Sequence, residues 1–316
     1  MHLDISIVIP LYNEEESLPE LVEWIERVCR EHSYSHEVIM IDDGSTDSSW
    51  EVIQRLAKQF PSVKAIKFQR NYGKSPALYM GFKAAQGNVV ITMDADLQDS
   101  PDEIPGLYDM IMKDGYDLVS GWKKVRYDNA VTKNLPSKLY NAVNRSLSGI
   151  KLHDMNCGLK SYKRKVVKSI EVYGEMHRFI PVLAKYAGFK KIGEKVVQHR
   201  PRKYGVSKFG WERFINGFLD LLSIQFVSRF GKKPMHLFGT LGSFTFLTGF
   251  LFTLWLIIDK IRFGDSVGIT NKPAFYIALT TMVMGTLFFL TGFIAELIVR
   301  NAGDRNLYLT EEKIGL

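Results

Sequence analysis

Val89-Val90-Ile91-Thr92-Met93-Asp94-Ala95-Asp96-Leu97-Gln98-Asp99 is an uncharged, mostly β-branched run that ends abruptly in carboxylates. Strands buried on both faces of a parallel sheet read as continuous apolar runs rather than alternating ones. Residues 89–93 therefore read as a central strand. Asp94 and Asp96, one residue apart at its end, place two hard oxygen donors together. Cations such as Mg²⁺ bind through one or two carboxylates plus substrate phosphates. The stretch thus predicts a divalent-metal turn at the carboxyl end of a buried strand.

The pattern repeats outward. Glu37-Val38-Ile39-Met40-Ile41 is a second apolar run, and it ends in Asp42-Asp43-Gly44-Ser45-Thr46-Asp47. In open α/β sheets ligands sit outside the carboxyl ends of the strands, so both acidic turns point to one crevice. Strand patterns at 5–9, 37–41, 63–68, 89–93 and 117–120 alternate with helix patterns at 14–30, 48–59, 76–85 and 102–113. That alternation predicts an α/β fold with a mostly parallel sheet covered by helices. No G-x-G-x-x-G and no Walker P-loop occurs, which removes the common dinucleotide and NTPase fingerprints.

The 316 residues segregate their apolar content. Of Asp, Glu, Lys, Arg and His, Met235–Ile258 contains only His236, and Ala274–Ala295 contains none. Each is long enough to cross a bilayer core, which takes about 20 apolar residues; the alternative is a pair of buried core helices. The N-terminus lacks the basic leader of a signal peptide, so a hairpin of two spans leaves both termini on one side. Arg229, Lys232, Lys233, Arg300 and Arg305 flank the hairpin, and Lys260, Arg262 and Lys272 lie near or within its connection. The positive-inside rule then favours a cytoplasmic N-terminal domain at the cell (inner) membrane. Gly239, Gly242 and Ser243 allow close helix contact, so a homo-oligomer through the spans is an expectation. Two cysteines, Cys29 and Cys157, do not make a disulfide framework. The net charge of +7 fits an anionic membrane surface better than nucleic acid.

Ahead of the first span, Trp211, Phe214, Ile215, Phe218, Leu221, Leu222 and Phe226 form one apolar face across 209–230. That pattern reads as a helix lying in the membrane interface, or as an ordinary helix packed on the sheet. Residues 129–149 carry a weaker pattern open to the same two readings. The basic run Lys160, Lys163, Arg164, Lys165 and Lys168 reads as a solvated face.

In the first strand and its turn, Ser6-Ile7-Val8-Ile9-Pro10-Leu11-Tyr12-Asn13-Glu14, the Asn13 side chain can cap the following helix. Tyr12 and Asp43 are chemically suited to wall and hydrogen-bond a nucleobase. Together with Asp42-Asp43-Gly44-Ser45-Thr46-Asp47, Arg70-Asn71-Tyr72-Gly73-Lys74 and the 94–99 turn, this stretch resembles the family 2 glycosyltransferases of GT-A fold. It is most similar to the polyprenyl-phosphate group, such as dolichyl-phosphate mannose synthases and bacterial undecaprenyl-phosphate glucosyltransferases. The resemblance covers residues 1 to about 210.

The resemblance implies the following roles. A nucleotide pocket is lined by Pro10, Tyr12, Glu14 and Asp43. Asp94 and Asp96 form the D-x-D motif that reaches a Mg²⁺ or Mn²⁺ ion and the donor diphosphate, and Gln98 contacts the metal or the donor. Lys74 lies near the donor, a surface lysine being the alternative. Asp154, in Asp154-Met155-Asn156-Cys157-Gly158-Leu159, sits beside the acceptor; a loop aspartate capping a helix is its alternative. Arg202-Lys203-Tyr204-Gly205-Val206-Ser207-Lys208 matches an acceptor-side signature in which Arg202, Ser207 and Lys208 hold the lipid phosphate. Arginine supplies a bidentate fork for phosphate and lysine a mobile charge.

The expected protein is a metal-dependent, inverting hexosyltransferase. It has a GT-A domain at 1–208, an interfacial helix at 209–230, a transmembrane hairpin at 235–300 and a cytoplasmic tail at 301–316. It moves a sugar from a nucleotide-diphosphate sugar, favoured as UDP-hexose, to undecaprenyl phosphate. GDP-mannose and aminoarabinose-type donors are alternatives. A processive polysaccharide synthase is disfavoured by having only two spans and no Q-x-x-R-W motif. A non-catalytic nucleotide-sugar-binding scaffold is disfavoured by the intact Asp96 and basic loop.

Overall fold

The computed structural model describes residues 3–124, 149–174, 176–201, 203, 226, 230, 233–263 and 268–301. The chain divides into two compact units, Met1–Leu222 and Ser223–Leu316.

In the first unit seven strands form one sheet. They are β1 (Ile5–Leu11), β2 (His36–Asp42), β3 (Val63–Lys67), β4 (Val89–Thr92), β5 (Leu118–Trp122), β6 (Lys160–Lys163) and β7 (Ile192–Val196). Their order is β3-β2-β1-β4-β6-β5-β7. Neighbours pair in parallel except β6, which runs against both β4 and β5. Helices α1 (Leu18–Glu31), α2 (Ser49–Gln59), α3 (Lys74–Ala84) and α4 (Ile104–Met112) link the first five strands. A 3₁₀ turn, Pro101–Glu103, leads into α4. Two short helices, α5 (Arg164–Ser169) and α6 (Ile180–Tyr186), follow β6.

Strand periodicity of two builds the two core layers. Ile5, Ile7 and Ile9 of β1 join Val38, Met40, Val89 and Ile91 on one face. Val8 joins Ile39, Ile41 and Val90 on the other, under Leu78 and Phe82 of α3. Helix α1 buries Leu18, Leu21, Val22, Ile25 and Val28, the three-and-four spacing of one helical face.

Two local expectations change. Helix α1 starts at Leu18 rather than Glu14, with Pro19 in its first turn, where a missing N–H costs nothing. Residues 12–17 form a loop instead. Asn13 does not cap α1; its backbone is left-handed (φ 56°) and its Oδ1 accepts the Thr46 N–H at 2.8 Å. The basic run is not uniformly solvated either. Lys160 is 3% exposed, and Lys163 pairs with Asp117 at 2.9 Å.

The second unit contains α7 (Pro234–Phe263) and α8 (Pro273–Asn301). Segments of 29 and 27 residues within them are long and apolar enough to cross a membrane. Phe244, Ile261 and Ile298 are among their many exposed apolar side chains, which a buried core pair does not show. Glycines let the two backbones meet. A Cβ at Gly242 would lie 2.6 Å from the Phe289 nitrogen, and one at Gly249 2.8 Å from the Ala278 carbonyl. Gly242 is thus engaged inside its own hairpin. The expected helices at 129–149 and 209–230, the acceptor residues Arg202, Ser207 and Lys208, and the tail beyond residue 301 lie outside the described residues, apart from isolated positions.

Candidate functional site

Register brings the acidic turns to one edge. Leu11 of β1 pairs with Asp42 of β2, and Val8 pairs with Thr92 of β4. Asp42 pairs with Lys67 at the end of β3. Tyr12, Asp43, Asn71–Lys74 and Asp94 therefore all leave the carboxyl edge of neighbouring strands. Because β6 is antiparallel, its first residue, Lys160, pairs with Thr92 and with Ser120. The segment preceding β6, with Asp154 and Gly158, arrives at the same edge from the other direction.

Asp43 is 5% exposed. Its Oδ1 accepts the Tyr72 N–H at 2.7 Å and its Oδ2 the Gly73 N–H at 2.9 Å. Burial pushes its carboxyl up, against the pull of those two bonds. Asp43 thereby braces the turn that delivers Lys74, while each oxygen keeps a second lone pair. Tyr12, Pro10 and Glu14 are half-buried, and the Glu14 N–H donates to Ser49 Oγ at 2.9 Å. Gly44 needs its positive φ of 73°, and a Cβ there would come 2.8 Å from Arg70 Cα.

The 94–99 turn is built around Leu97, buried and left-handed at φ 61°. Such a conformation in a non-glycine residue is strained and persists only where its surroundings enforce it. Asp96 is 7% exposed and its Oδ1 accepts the Gln98 N–H at 3.2 Å. Asp94 pairs with Lys74. Burial alone would raise the Asp94 carboxyl, but the ammonium groups of Lys74 and Lys123 outweigh it and hold it at about 2. Asp99 is fully buried, with the Lys123 ammonium 2.7 Å away. This is an ion pair without aligned hydrogen-bond geometry. Burial drives the Asp99 carboxyl up despite Lys123.

The turn is also pinned by backbone. Asp99 bridges His199, and the Arg200 N–H donates to the Gln98 carbonyl at 3.0 Å. The segment that follows β7 thus runs beside the 94–99 turn. Further on, Lys203 pairs with Glu20 at 2.6 Å. Among the described residues, no three His, Cys, Asp or Glu side chains form a metal cage. A pair of carboxylates that leaves coordination positions to water and phosphate is the usual manner of Mg²⁺, and Asp94 and Asp96 are such a pair by donor type.

Asp154 is 2% exposed, and its Oδ1 accepts the Asn156 N–H at 3.1 Å. The Ser120 hydroxyl donates to its carbonyl at 3.2 Å. The carboxylate thus shapes its own turn, and the turn is tied to the end of β5.

Sequence reasoning missed Lys123, Ser75, His177, Lys160 and Gly158. Ser75 and His177 are 102 residues apart, yet the Ser75 hydroxyl lies 3.0 Å from both the His177 N–H and its Nδ1. No sequence pattern joins them. The position of Lys160 directly after an acidic, Cys-Gly-containing turn was the one available signal.

The glycosyl transferase family 2 model matches residues 6–171. The chain is 35% identical over 300 residues to a dodecaprenyl-phosphate galacturonate synthase of Rhizobium johnstonii, covering 94% of this chain and 88% of that one. It is 35% identical over 302 residues to an undecaprenyl-phosphate 4-deoxy-4-formamido-L-arabinose transferase of Pseudomonas aeruginosa, covering 95% and 86%. Among solved structures, a glucosyl-3-phosphoglycerate synthase from Mycobacterium tuberculosis superposes with a TM-score of 0.54 at 19% identity, over 72% of this chain and 80% of that one. A mannosyl-3-phosphoglycerate synthase from Rubrobacter xylanophilus gives 0.56 at 16% identity, over 71% and 74%. At these identities the structural likeness establishes the GT-A fold.

Proposed function

The chain belongs to glycosyl transferase family 2, and on that premise we propose that it moves a sugar from a uridine-diphosphate donor to a polyprenyl phosphate at the membrane. One observation carries the acceptor. The likeness to two enzymes named for polyprenyl-phosphate sugar transfer runs over 94% or more of the chain, a span that includes both apolar helices. The boundaries of the reading are a catalytic domain at 1–208, an interfacial helix at 209–230, a hairpin at 235–300 and a tail at 301–316. The domain faces the cytoplasm at the inner membrane, in line with the basic residues flanking the hairpin.

Tyr12, Pro10, Glu14 and Asp43 receive the nucleotide at the ends of β1 and β2. Asp94, Asp96 and Gln98 hold the divalent cation, Mg²⁺ or Mn²⁺, which offsets negative charge on the leaving diphosphate. Lys74 adds a cation beside Asp94, at the N-terminus of α3, where backbone N–H groups also favour anions. Arg202, Ser207 and Lys208 take the acceptor phosphate. A phosphate monoester has its second pKa near about 6, so its oxygen is already largely deprotonated and attacks the anomeric carbon with inversion. Asp154 then orients the acceptor rather than serving as a strong base.

The test is direct. Detergent-solubilised full-length protein is incubated with undecaprenyl phosphate, Mg²⁺ or Mn²⁺, and a panel of labelled UDP- and GDP-sugars. A lipid-extractable sugar phosphate that disappears in Asp96→Asn supports the reading. Absence of lipid-linked label from every donor overturns it.

A further inference from the structure

The first turn of α3 is held from a distant part of the chain. Its N-cap, Gly73, has no side chain with which to cap it. Asp43 holds the approach by accepting the Tyr72 and Gly73 N–H groups. The next tie is at Ser75, which is fully buried. Its hydroxyl accepts the His177 main-chain N–H at 3.0 Å and stands 3.0 Å from Nδ1 of the same residue. His177 belongs to a 3₁₀ turn, Met176–Phe179, that leads directly into α6.

The imidazole suits a fixed acceptor. Having taken the N–H, the Ser75 hydroxyl has its own proton left, and a neutral ring protonated on Nε2 accepts it at Nδ1. Burial, with Lys74 and Arg178 nearby, holds the imidazole at about 2, so the ring is neutral. Lys74 and His177 line one small cavity, and a charged ring there would repel the ammonium. The contact satisfies two buried polar groups, which is a structural service. Its place gives it a second one. Ser75 follows Lys74 directly, and Lys74 pairs with Asp94. Lysine carries its charge on a flexible stem, so its reach depends on the backbone beneath it.

We propose that His177 is a positioning residue: through Ser75 it fixes the first turn of α3, and so sets Lys74 where the donor diphosphate meets Asp94. The proposal rests on the donor reading above, in which Lys74 stands beside the diphosphate, and adds the residue that keeps it there. Three ties converge on the stretch from Tyr72 to Ser75. Asp43 holds Tyr72 and Gly73, Asp94 holds Lys74, and His177 holds Ser75. They come from the ends of β2 and β4 and from the turn before α6. A helix start braced on three sides has little room to shift. That matters at this position, because a misplacement of about 1 Å costs an enzyme up to about 100-fold.

Calorimetric titration of the full-length protein with UDP and Mn²⁺ tests it, with and without Lys74. Ser75→Ala and His177→Phe are each expected to weaken UDP by about fivefold or more. The double variant is expected to lose no more than the worse single one, since both remove one contact. His177→Asn, whose Oδ1 stands in for Nδ1, is expected to stay within about twofold of wild type. Lys74→Met is expected to weaken UDP as well, and Ser75→Ala added to it to cost less than about twofold more. A cost of Ser75→Ala that is the same with and without Lys74 overturns the proposal by showing a merely structural contact. Wild-type UDP affinity in both Ser75→Ala and His177→Phe also overturns it. Lys74→Met binding UDP like wild type removes Lys74 from the donor site and the proposal with it, and leaves the transferase reading standing. Failure of the wild-type protein to bind UDP overturns the donor reading and the proposal together. If Ser75→Ala does not fold, His177→Phe with and without Lys74 gives the same decision.

Discussion

Gly158 lies flat against the carboxylate of Asp94: a Cβ at residue 158 would come within 2.6 Å of the Asp94 Cγ. Two distant parts of the chain meet here, the end of β4 and the segment that precedes the antiparallel β6. The glycine is required by the close approach, and its carbonyl is held by Thr92. The segment that precedes β6 therefore sets how far the Asp94 side chain can swing.

Gly158→Ala is expected to displace Asp94 and to lower kcat/KM by about 10- to 100-fold, the scale on which a misplacement of about 1 Å acts. The melting temperature should change little, because the added methyl meets a partly exposed side chain rather than the core. A variant with wild-type kcat/KM shows that Asp94 yields without consequence.

The Asp94–Lys74 pair carries a pH signature. The Asp94 carboxyl sits at about 2, below its ordinary 3.8. A depressed acid contributes stability that is present above its unfolded value and is lost as pH falls through the folded one. In EDTA, the melting gap between wild type and Lys74→Met should be full above pH 3.8 and narrow as pH approaches 2. A gap independent of pH across that window rules out the pair as its source.

Asp43→Asn keeps one carbonyl acceptor and replaces the other oxygen with a donor, facing the Tyr72 or Gly73 N–H. Hydrogen bonds to charged groups contribute about 1.5–3 kcal/mol. Amide exchange at Tyr72 and Gly73 should accelerate by about tenfold or more, and donor affinity should fall with it. Unchanged exchange at both amides contradicts the brace.

Removal of residues 235–316 should leave a folded domain that binds donor, since both core clusters are built from residues 5–197. Activity on vesicle-embedded polyprenyl phosphate should fall far more than activity on a short-chain soluble acceptor, because the hairpin supplies local concentration. Equal, near-complete loss on both acceptors, with donor binding intact, assigns the hairpin a part in building the site.

The two acidic turns were legible in sequence because each is a local event. Asp42–Asp47 and Asp94–Asp99 each follow an apolar strand directly, and a strand end fixes where the next residues go. The hairpin was legible for a similar reason, as apolar length alone marks 235–258 and 274–295. Helix α1 was misjudged at its start because Asn13 found the Thr46 N–H on a neighbouring loop, a partner that local capping rules do not weigh.

What the sequence determined by itself was therefore the set of strand-end chemistries, the α/β alternation and the two apolar spans, all governed by short-range periodicity. Only the tertiary structure decided that β6 runs antiparallel between β4 and β5, and this reversal carries the remaining consequences. It brings Asp154, Gly158 and Lys160 to the edge where Asp94 stands, and it buries a lysine that composition places on the surface. Tertiary packing alone likewise sets His177 against Ser75, 102 residues away. Strand direction is set by which apolar faces pack once the chain has collapsed, and no local run of residues records that choice.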